Sequence, residues 1–516
     1  MINFSILMRA QRLAAFLTLL LGLSTAALAG GANFNVKDFG ATGDGKSMDT
    51  TALQSAIDAA AKSGGGTVIL PPGKYLSGSI HLKSHVTLQL DEGATLLGST
   101  HRADYQKLYF HGLLLADGQE DIAVIGQGVI DGQGRELSAE TERLFAEHKL
   151  PNANEGERPV IINFRNCARV SVRDITLRNS ACWVQHYVNC DGLTMEKVTV
   201  RSNAAFNNDG IDIDGCTHAV VRNCDVDSED DGICLKSSSR ACADVLVENC
   251  RVRSTCNALK FGTASVGGFK NVTCRNLEIY DTYISGIALE IVDGGLMENV
   301  NVSHIKITDT SNAIFIRLGH RNLRGEIGKL HGVTISDVTA EIPDRPVGQM
   351  NKYPDEKHKY NPHTLVTSSI TGQPGQPVQD VTIENVSITY GGIGGTPQPR
   401  QNRWDKLDKV TESVTNYPEC TRFGTLPAWG FYCRHAEGIR FKNVTLRVSG
   451  KDYRPALVCD DVRRLELDGF KVASAGTDPV IVLNNVKGAS IRNAPVPPGA
   501  ISFIKTTGST RDIQQP

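Results

Sequence analysis

Short stretches in which apolar and polar residues alternate recur along most of this chain. Between Val160 and Val338, β-branched residues often occupy every second position, as in Val170-Ser-Val172 and Leu193-Thr-Met195. A period of two residues is typical of β-strands with one buried face. Long stretches with the 3.6-residue period of helices are missing here, so the sequence predicts an all-β fold.

The strand pattern itself repeats about every 23 to 27 residues, which indicates a solenoid. Cys167, Cys190 and Cys216 fall at intervals of 23 and 26 residues in matching contexts, and Cys224 and Cys250 are again 26 apart. Among solenoids with short strands, the parallel β-helix fits this period. Its coils lie ~4.8 Å apart, so residues at equivalent positions stack in ladders.

Two kinds of ladder follow from this repeat. We expect Asn223, Asn249 and Asn276 to form an internal asparagine ladder. The five cysteines with this spacing, of thirteen in the chain, are interpreted as small apolar core residues. Some pairing remains open, and the disulfide candidates are Cys420 with Cys433 and a pair among Cys234, Cys242 and Cys256.

A helix is predicted at Thr51 to Lys62, where it covers the open end of the coil. Its apolar face consists of Leu53, Ile57, Ala60 and Ala61. Thr51 and Gln54 can form a capping box, and Gly64 ends the helix.

The repeat breaks from Ile342 to Trp429, and we predict one long irregular loop insert at about 342–429. Its aromatic residues, Phe423, Trp429 and Tyr432 just beyond it, either stack on sugar rings or anchor the insert to the coil.

The first 29 residues have the pattern of a secretory signal peptide. Arg9 and Arg12 precede the apolar run Leu13 to Leu21, and Ala27-Leu28-Ala29 matches the small-residue cleavage site. We therefore expect residues 30–516 to form a single β-helix catalytic domain, and the protein to be periplasmic or secreted.

Charge and hydropathy exclude two classes of partner. The formal net charge is -2 and only 21% of residues are charged, which argues against nucleic-acid binding. No second apolar run approaches the ~20 residues of a membrane span. We expect a monomer without nucleic-acid or membrane partners.

Three carboxylates are the strongest chemical signal. Asp209 precedes Asp230 and Asp231 by 21 and 22 residues, about one coil, so all three should face one groove roughly 5 to 8 Å apart. Carboxylates at such spacing can flank a glycosidic bond as acid and base. Alternatively, Asp209 and Asp231 are turn residues beside Gly210 and Gly232.

Several motifs resemble glycoside hydrolase family 28, the polygalacturonases. Phe34 to Lys46 looks like the amino-terminal strand of the family. Its other motifs are matched by Trp183-Val-Gln-His186, Asn207-Asn-Asp209-Gly, and Asp230-Asp231 with Lys236-Ser237. The resemblance covers most of the mature chain and implies a right-handed, single-stranded parallel β-helix.

The resemblance also implies roles. Asp230 would be the general acid, and Asp209 and Asp231 would hold and activate water for an inverting hydrolysis of pectic polysaccharide or oligosaccharide. His186, Asn207 and Lys236 would bind substrate. We expect neither a cofactor nor a metal.

The chain departs from the family in two places. Asn257 replaces the histidine of the Gly-His-Gly motif, followed by Lys260, and Ala288 and Glu290 replace the cations of Arg-Ile-Lys. Because those cations would pair with a galacturonate carboxylate, the subsite should differ. We expect Lys260 and Glu290 to form an ion pair or bind the hydroxyls of a neutral sugar, or else to be a solvated surface pair.

Other cations and other functional classes stay open. Arg317, with His320 and Arg321, either binds an acidic sugar at another subsite or pairs with turn carboxylates. A pectate-lyase-like β-helix would use its acids as calcium ligands. A non-catalytic carbohydrate-binding β-helix would have no reaction to lose on Asp230→Asn.

Overall fold

The computed structural model describes residues 32–345, 347, 367–392, 403–473 and 479–515. The predicted signal peptide lies outside these residues. The described chain is a right-handed parallel β-helix in which each strand pairs with its equivalent one coil further on. All named strand pairs are parallel except one, between Lys107–Leu108 (β8) and Phe110–Asp117 (β9). The predicted fold class is confirmed.

Three sheets run along the coil. The first contains Asn33–Asn35 (β1), Gly66–Leu70 (β3), Val86–Leu90 (β6), Glu120–Ile125 (β10), Ala168–Arg173 (β13), Asp191–Glu196 (β16), Thr217–Arg222 (β19), Cys242–Glu248 (β22), Lys487–Arg492 (β35) and Arg511–Gln514 (β37). The second contains Asp44–Met48 (β2), Gly73–Ser77 (β4), Ala94–Gly98 (β7), Val129–Asp131 (β11), Thr176–Arg178 (β14), Thr199–Ser202 (β17), Asp225–Ser228 (β20), Arg251–Ser254 (β23) and Lys471–Ala473 (β33).

The third sheet carries the chemistry described below. It contains Ile80–His81 (β5), β9, Val160–Arg165 (β12), Gln185–Val188 (β15), Ile211–Asp214 (β18), Ile233–Lys236 (β21), Leu259–Phe261 (β24), Ser368–Thr371 (β28), Phe431–Glu437 (β30), Ile481–Asn484 (β34) and Ile504–Thr507 (β36). Longer strands bend through two or three sheets: Phe269–Ile291 (β25), Leu296–Leu318 (β26), Lys329–Ile342 (β27), Val378–Tyr390 (β29), Arg440–Val448 (β31) and Leu457–Asp468 (β32).

One hydrophobic core runs inside the coil from Val36 to Ile491. The repeating cysteines belong to it, as predicted. Cys167, Cys190, Cys216 and Cys242 occupy equivalent positions in successive coils, flanked by paired strand residues. All thirteen cysteines are buried and unpaired, so the disulfide candidates among Cys234, Cys242, Cys256, Cys420 and Cys433 are wrong. Cys433 instead stacks on Cys459 within the core.

The asparagine ladder exists, but it lies outside the coil. Asn276 donates a hydrogen bond to Asn249 at 3.1 Å, and both side chains are exposed, as is that of Asn223. Their φ angles of 55°, 55° and 56° lie in the left-handed region, which asparagine tolerates better than most residues. The prediction of an internal ladder is therefore wrong, because these asparagines make the turns between strands.

The capping helix spans Thr50–Lys62 (α1) and buries Leu53, Ala56, Ile57 and Ala60 against the first coil. The capping box is wrong, because the N-cap is Asp49 and it makes no side-chain capping bond. Its carboxylate accepts from Thr42 N at 2.7 Å, and Gln54 accepts from His81 N at 2.8 Å. A second helix, Gly134–Ala146 (α2), lies outside the coil after β11.

The predicted insert is not continuously irregular. Strands β28 and β29 lie within 342–429 and continue the coil, with Val381, Ile383 and Val386 buried in the core. Apolar and polar residues alternate at these positions in the sequence, a strand signal that the prediction of one irregular insert overlooked. The irregular chain that the structure describes here is residues 403–430, called the covering segment below, with 3-10 turns at Leu407–Lys409 and Cys420–Phe423.

Candidate active site

The candidate site lies on the outer face of the third sheet. Here the strand residues that point away from the core form two rows. One row contains Asn163, His186, Asp212, Cys234, Lys260, Ala288 and Phe315. The other contains Arg165, Val188, Asp214 and Lys236. Equivalent residues are one coil apart, about 4.8 Å.

The three predicted catalytic aspartates lie together at the turns entering β18 and β21. Side-chain atoms of Asp209 and Asp231 lie within 4.8 Å of each other, and so do those of Asp230 and Asp231. We call these three residues the carboxylate cluster. This spacing is slightly shorter than expected, and the lysines described next offset the repulsion between the acids.

Backbone packing explains why this turn is so tight. A Cβ at Gly210 would lie 2.6 Å from Gly232 O, and one at Gly232 would lie 2.7 Å from Ala258 O. The fully buried Asn208 holds the preceding loop: it accepts from Ala204 N and Ala205 N, both at 3.1 Å. The glycines allow adjacent coils to approach, and this brings Asp209 over Asp231.

Lys236 bridges two buried carboxylates. Its Nζ lies 3.1 Å from Asp209 Oδ2 and 3.0 Å from Asp212 Oδ1, and it sits 4.8 Å above the centre of the Trp183 ring. Burial and the neighbouring Asp212 raise the pKa of Asp209 well above its ordinary value. Burial likewise raises the pKa of Asp212. Lys236 therefore shares one cationic charge between two acids.

Lys260 and Asn257 contact Asp231. Lys260 Nζ lies 2.9 Å from Asp231 Oδ2, and Asn257 Nδ2 donates to Asp231 Oδ1 at 2.9 Å. Burial opposes ionisation of Asp231, but Lys260, Lys236 and Asn257 together lower its pKa below the ordinary value. Asp231 is thus the ionised member of the cluster.

Asp230 is the most exposed of the three acids. Burial, followed by the charge of Asp231, raises its pKa to about 6. Asn207 Nδ2 donates to Asp230 Oδ2 at 3.3 Å, and Arg158 donates to Asn207 Oδ1 at 2.7 Å. Asp230 and Asp231 therefore have pKa values shifted in opposite directions, a pattern that assigns acid and base roles.

His186 lies beside the cluster, in contact with aromatic rings and a carboxylate. Its ring centroid is 4.9 Å from that of Trp183 and 5.7 Å from that of Phe110. Its Nε2 lies 3.6 Å from Asp214 Oδ2. Only 3% of His186 is exposed, so it forms part of the floor of the groove.

Glu290 is buried in the site without the expected partner. It is 1% exposed, and Lys260 pairs with Asp231 and Tyr417 instead, so the predicted ion pair between Lys260 and Glu290 is wrong, as is the solvated surface pair. Burial raises the pKa of Glu290 to about 8, with Lys260 acting against the shift. At neutral pH Glu290 is therefore largely protonated. A neutral carboxyl group does not repel an anion, as an ionised glutamate would.

Arg317 does not face a subsite. It is 3% exposed and donates to Gly372 O at 3.0 Å and to Glu412 O at 2.6 Å, which fixes the covering segment to the coil. The prediction that Arg317 binds an acidic sugar is wrong, because its donors are taken by backbone carbonyls. Arg321 pairs with Asp293 at 2.6 Å, as the alternative interpretation held.

The covering segment closes the carboxyl-terminal side of the groove. Its apolar side chains pack on Ala288 and Phe315 of the outer row, and they include Leu407, Val410, Cys420, Phe423 and Leu426. This packing accounts for an alanine at position 288. Trp429 and Tyr432 are at most 1% exposed, so these aromatics anchor the segment and present no sugar-binding surface.

Four residues of the site escaped the sequence analysis. Asp212 pairs with Lys236, Arg158 positions Asn207, Tyr417 Oη lies 3.1 Å from Lys260 Nζ, and Glu229 is 5% exposed beside Asp230. Asp212 lies two residues before Asp214 on β18, a spacing that places both on one face of the sheet. The other three had no periodic signal.

Some carboxylate and thiol groups in the site lie close enough together to hold a metal ion. One such set is Asp209, Asp231 and Cys234. Two ammonium groups already occupy the cation positions, because Lys236 and Lys260 lie at 3.1 and 2.9 Å from these carboxylates. A divalent ion would be repelled by both lysines. The arrangement therefore favours proton-transfer chemistry by carboxyl groups over calcium-dependent chemistry.

Comparison with known proteins identifies the family of this chain. The model of glycosyl hydrolases family 28 matches residues 63–404. A stretch of 126 residues, 21% of each chain, is 37% identical to an exo-poly-alpha-D-galacturonosidase of Dickeya chrysanthemi. Over 302 residues, 55% of this chain and 56% of the other, identity to a probable polygalacturonase of Vitis vinifera is 27%. The matches thus span from a fifth to just over half of these relatives.

Among solved structures, the family 28 exopolygalacturonase of Yersinia enterocolitica has the same fold. The superposition covers 91% of this chain and 80% of the other, with a TM-score of 0.66 and 18% identity.

Proposed function

We propose that this chain, which belongs to glycosyl hydrolases family 28 and is a polygalacturonase-like glycosidase, cleaves a pectic polysaccharide or oligosaccharide with inversion of the anomeric configuration. The observation that carries the proposal is the carboxylate cluster with its two lysines, Lys236 and Lys260. Family membership supports both the substrate class and the stereochemistry.

In this mechanism Asp230 protonates the leaving oxygen of the glycosidic bond. Its pKa of about 6 keeps a proton available in weakly acidic solution, and its partial exposure gives it access to substrate. Asp231, held ionised by Lys260, accepts a proton from the attacking water, and Asp209 positions that water. Lys236 and Lys260 remain protonated and offset the charge of the cluster.

The substitution Asp230→Asn tests this role. It removes the acidic proton and should lower kcat by about 10² to 10⁴ on pectic oligosaccharides in a reducing-sugar assay. Asp225→Asn is the matched control: Asp225 precedes Asp230 on the strand before the turn and pairs with Arg201 at 2.6 Å, outside the site. Circular dichroism should show that both variants fold. Unchanged kcat for Asp230→Asn would remove Asp230 from the mechanism.

The products distinguish hydrolysis from elimination. NMR of the first product should show the anomer opposite to that of the substrate, since water attacks from the face away from the leaving group. An unsaturated sugar absorbing in the ultraviolet, lost on adding a chelator, would instead identify a lyase.

We further propose that the protein is exported and acts as a monomer. The charged and apolar pattern of residues 1–29 supports export. No helix among the described residues is long and apolar enough to cross a membrane.

A further inference from the structure

Aromatic contacts lead from solvent to the carboxylate cluster along the third sheet. The ring centroid of Tyr109 lies 5.1 Å from that of Phe110, which lies 4.9 Å from that of Trp183. Lys236 sits over Trp183 at 4.8 Å and pairs with Asp209. Sugar rings stack on such aromatic surfaces, and the mechanism above uses neither Tyr109 nor Phe110.

Tyr109 is held in a strained and exposed position. Its φ of 70° lies in the left-handed region, which bulky residues rarely adopt, and 72% of it is exposed. It forms the tip of the hairpin between β8 and β9. The fully buried Asn163 donates to Leu108 O at 2.9 Å and Phe110 O at 3.1 Å, on either side of this tip. Strain maintained by buried hydrogen bonds is a feature of ligand clamps.

A cation accompanies this tyrosine. The guanidinium carbon of Arg165 lies 5.2 Å from the centre of the Tyr109 ring. Among the residues that the structure describes, no carboxylate pairs with Arg165. Lys236 and Lys260, by contrast, are each neutralised by an aspartate. Arg165 therefore offers the groove a cation that no acid of the described chain neutralises.

Arg165 also stands in register with a residue of the site. Arg165 and Lys236 belong to the same row of the third sheet, three coils apart, a distance of about 14 Å. On the opposite side, beyond Lys260, the covering segment packs on Ala288 and Phe315. Within the described chain, the covering segment and Tyr109 thus lie on opposite sides of the cluster.

We propose that Tyr109 and Arg165 form a remote subsite that binds a uronic acid residue of the substrate chain, its ring on the tyrosine and its carboxylate on the guanidinium. This inference rests on the proposed function and adds to it a site that recognises acidic sugar away from the cleaved bond. Such a site supplies an anion contact that Ala288 and Glu290 do not provide.

Kinetics on uronic acid oligomers of increasing length test the subsite. Tyr109→Ala and Arg165→Met should lower kcat/KM at least tenfold on the long oligomers, mainly through KM, and less than twofold on the shortest oligomer that is cleaved. With methyl-esterified oligomers, Arg165→Met should match the wild type, since no carboxylate remains to bind. Equal losses at all lengths, or none, would overturn the proposal.

The structure provides a matched control. Arg251 lies 3.7 Å from the centre of the Tyr280 ring, the same kind of pair on a neighbouring face of the coil, so Tyr280→Ala should leave the length dependence unchanged. Calorimetry on Asp230→Asn separates the two proposals, because it measures oligomer binding without turnover. If Tyr109→Ala in that background binds long oligomers as tightly as its parent, the subsite is absent even if the hydrolase is real. If the wild type binds them in a Tyr109-dependent manner without cleaving them, only the proposed function fails.

Discussion

The carboxyl groups of this site have different pKa values because burial and neighbouring charges act on each group to a different extent. Asp231 and Glu290 are both nearly inaccessible, at 2% and 1% exposure. Lys260 lies 2.9 Å from Asp231, so the pKa of that acid falls, while burial raises the pKa of Glu290 to about 8. One lysine therefore decides which of two buried acids carries charge.

Glu290→Gln should make the protein less sensitive to rising pH. The folded pKa of Glu290 lies above its unfolded value of about 4.5, so the native state binds the extra proton and loses stability as pH rises from about 5 to 8. The variant should exceed the wild type in Tm by several degrees at pH 8 and by little at pH 5, as followed by differential scanning calorimetry.

Glu298→Gln provides the control for this comparison. Glu298 is paired with Lys270 at 2.8 Å on the surface, and its pKa is lowered, mainly by the hydrogen bond from that lysine. It should show no such gain at high pH. A Tm difference between Glu290→Gln and wild type that is independent of pH would contradict the protonated state of Glu290.

At the scale of elements, the covering segment is tied to the coil by charged groups from several strands. Arg317 reaches the carbonyl of Glu412 at 2.6 Å, and Arg434 reaches its carboxylate at 2.6 Å. His435 lies between Glu412 at 3.2 Å and Asp461 at 2.7 Å. The segment has little regular structure, so these bonds and its apolar contacts hold it over the third sheet.

Arg317→Met should loosen this segment while leaving the coil intact. The variant loses the hydrogen bond from a charged donor to Glu412 O in the segment, worth about 1.5 to 3 kcal/mol, so local opening should increase at least tenfold. Limited proteolysis with mass spectrometry should show faster cleavage within residues 403–430. Arg447→Met, at an exposed strand position, is the control and should be cleaved like the wild type.

The sequence predicted those elements whose signal repeats. The cysteine spacing and the alternating strands gave the coil, and one-coil spacing brought Asp209 and Asp231 together. The side of the asparagine ladder was missed because the repeat alone does not distinguish a core position from a turn. The partners of Lys260 were missed for a different reason: Tyr417 is 157 residues away, and no periodicity links a coil residue to an irregular segment.

At the scale of the whole molecule, stability comes from a long core without covalent links. All thirteen cysteines are buried thiols, and those of the repeat stack along the core. Burial raises the pKa of the Cys182 thiol to about 12 and also raises the pKa values of Cys242 and Cys274, so these thiols are unreactive in the folded protein. An exported protein of this kind would not depend on disulfide formation.

Intact mass measurement of protein recovered from the periplasm or the medium tests both points. The mass should correspond to residues 30–516, with thirteen additions after alkylation in denaturant and none after alkylation of the native protein. Retention of the first 29 residues would contradict export by signal cleavage. Before alkylation, a mass two hydrogen atoms lower than that of the fully reduced protein would show that two cysteines form a disulfide.

The regular stacking of coils has a consequence for substrate length. Because Arg165 and Lys236 stand in one row of paired strands, their separation is a whole number of coil spacings. A relative with one coil more or fewer between these positions would shift the preferred oligomer in a discrete step of about 4.8 Å. In this architecture, insertion or deletion of a complete repeat would therefore change the preferred substrate length without changing the catalytic residues.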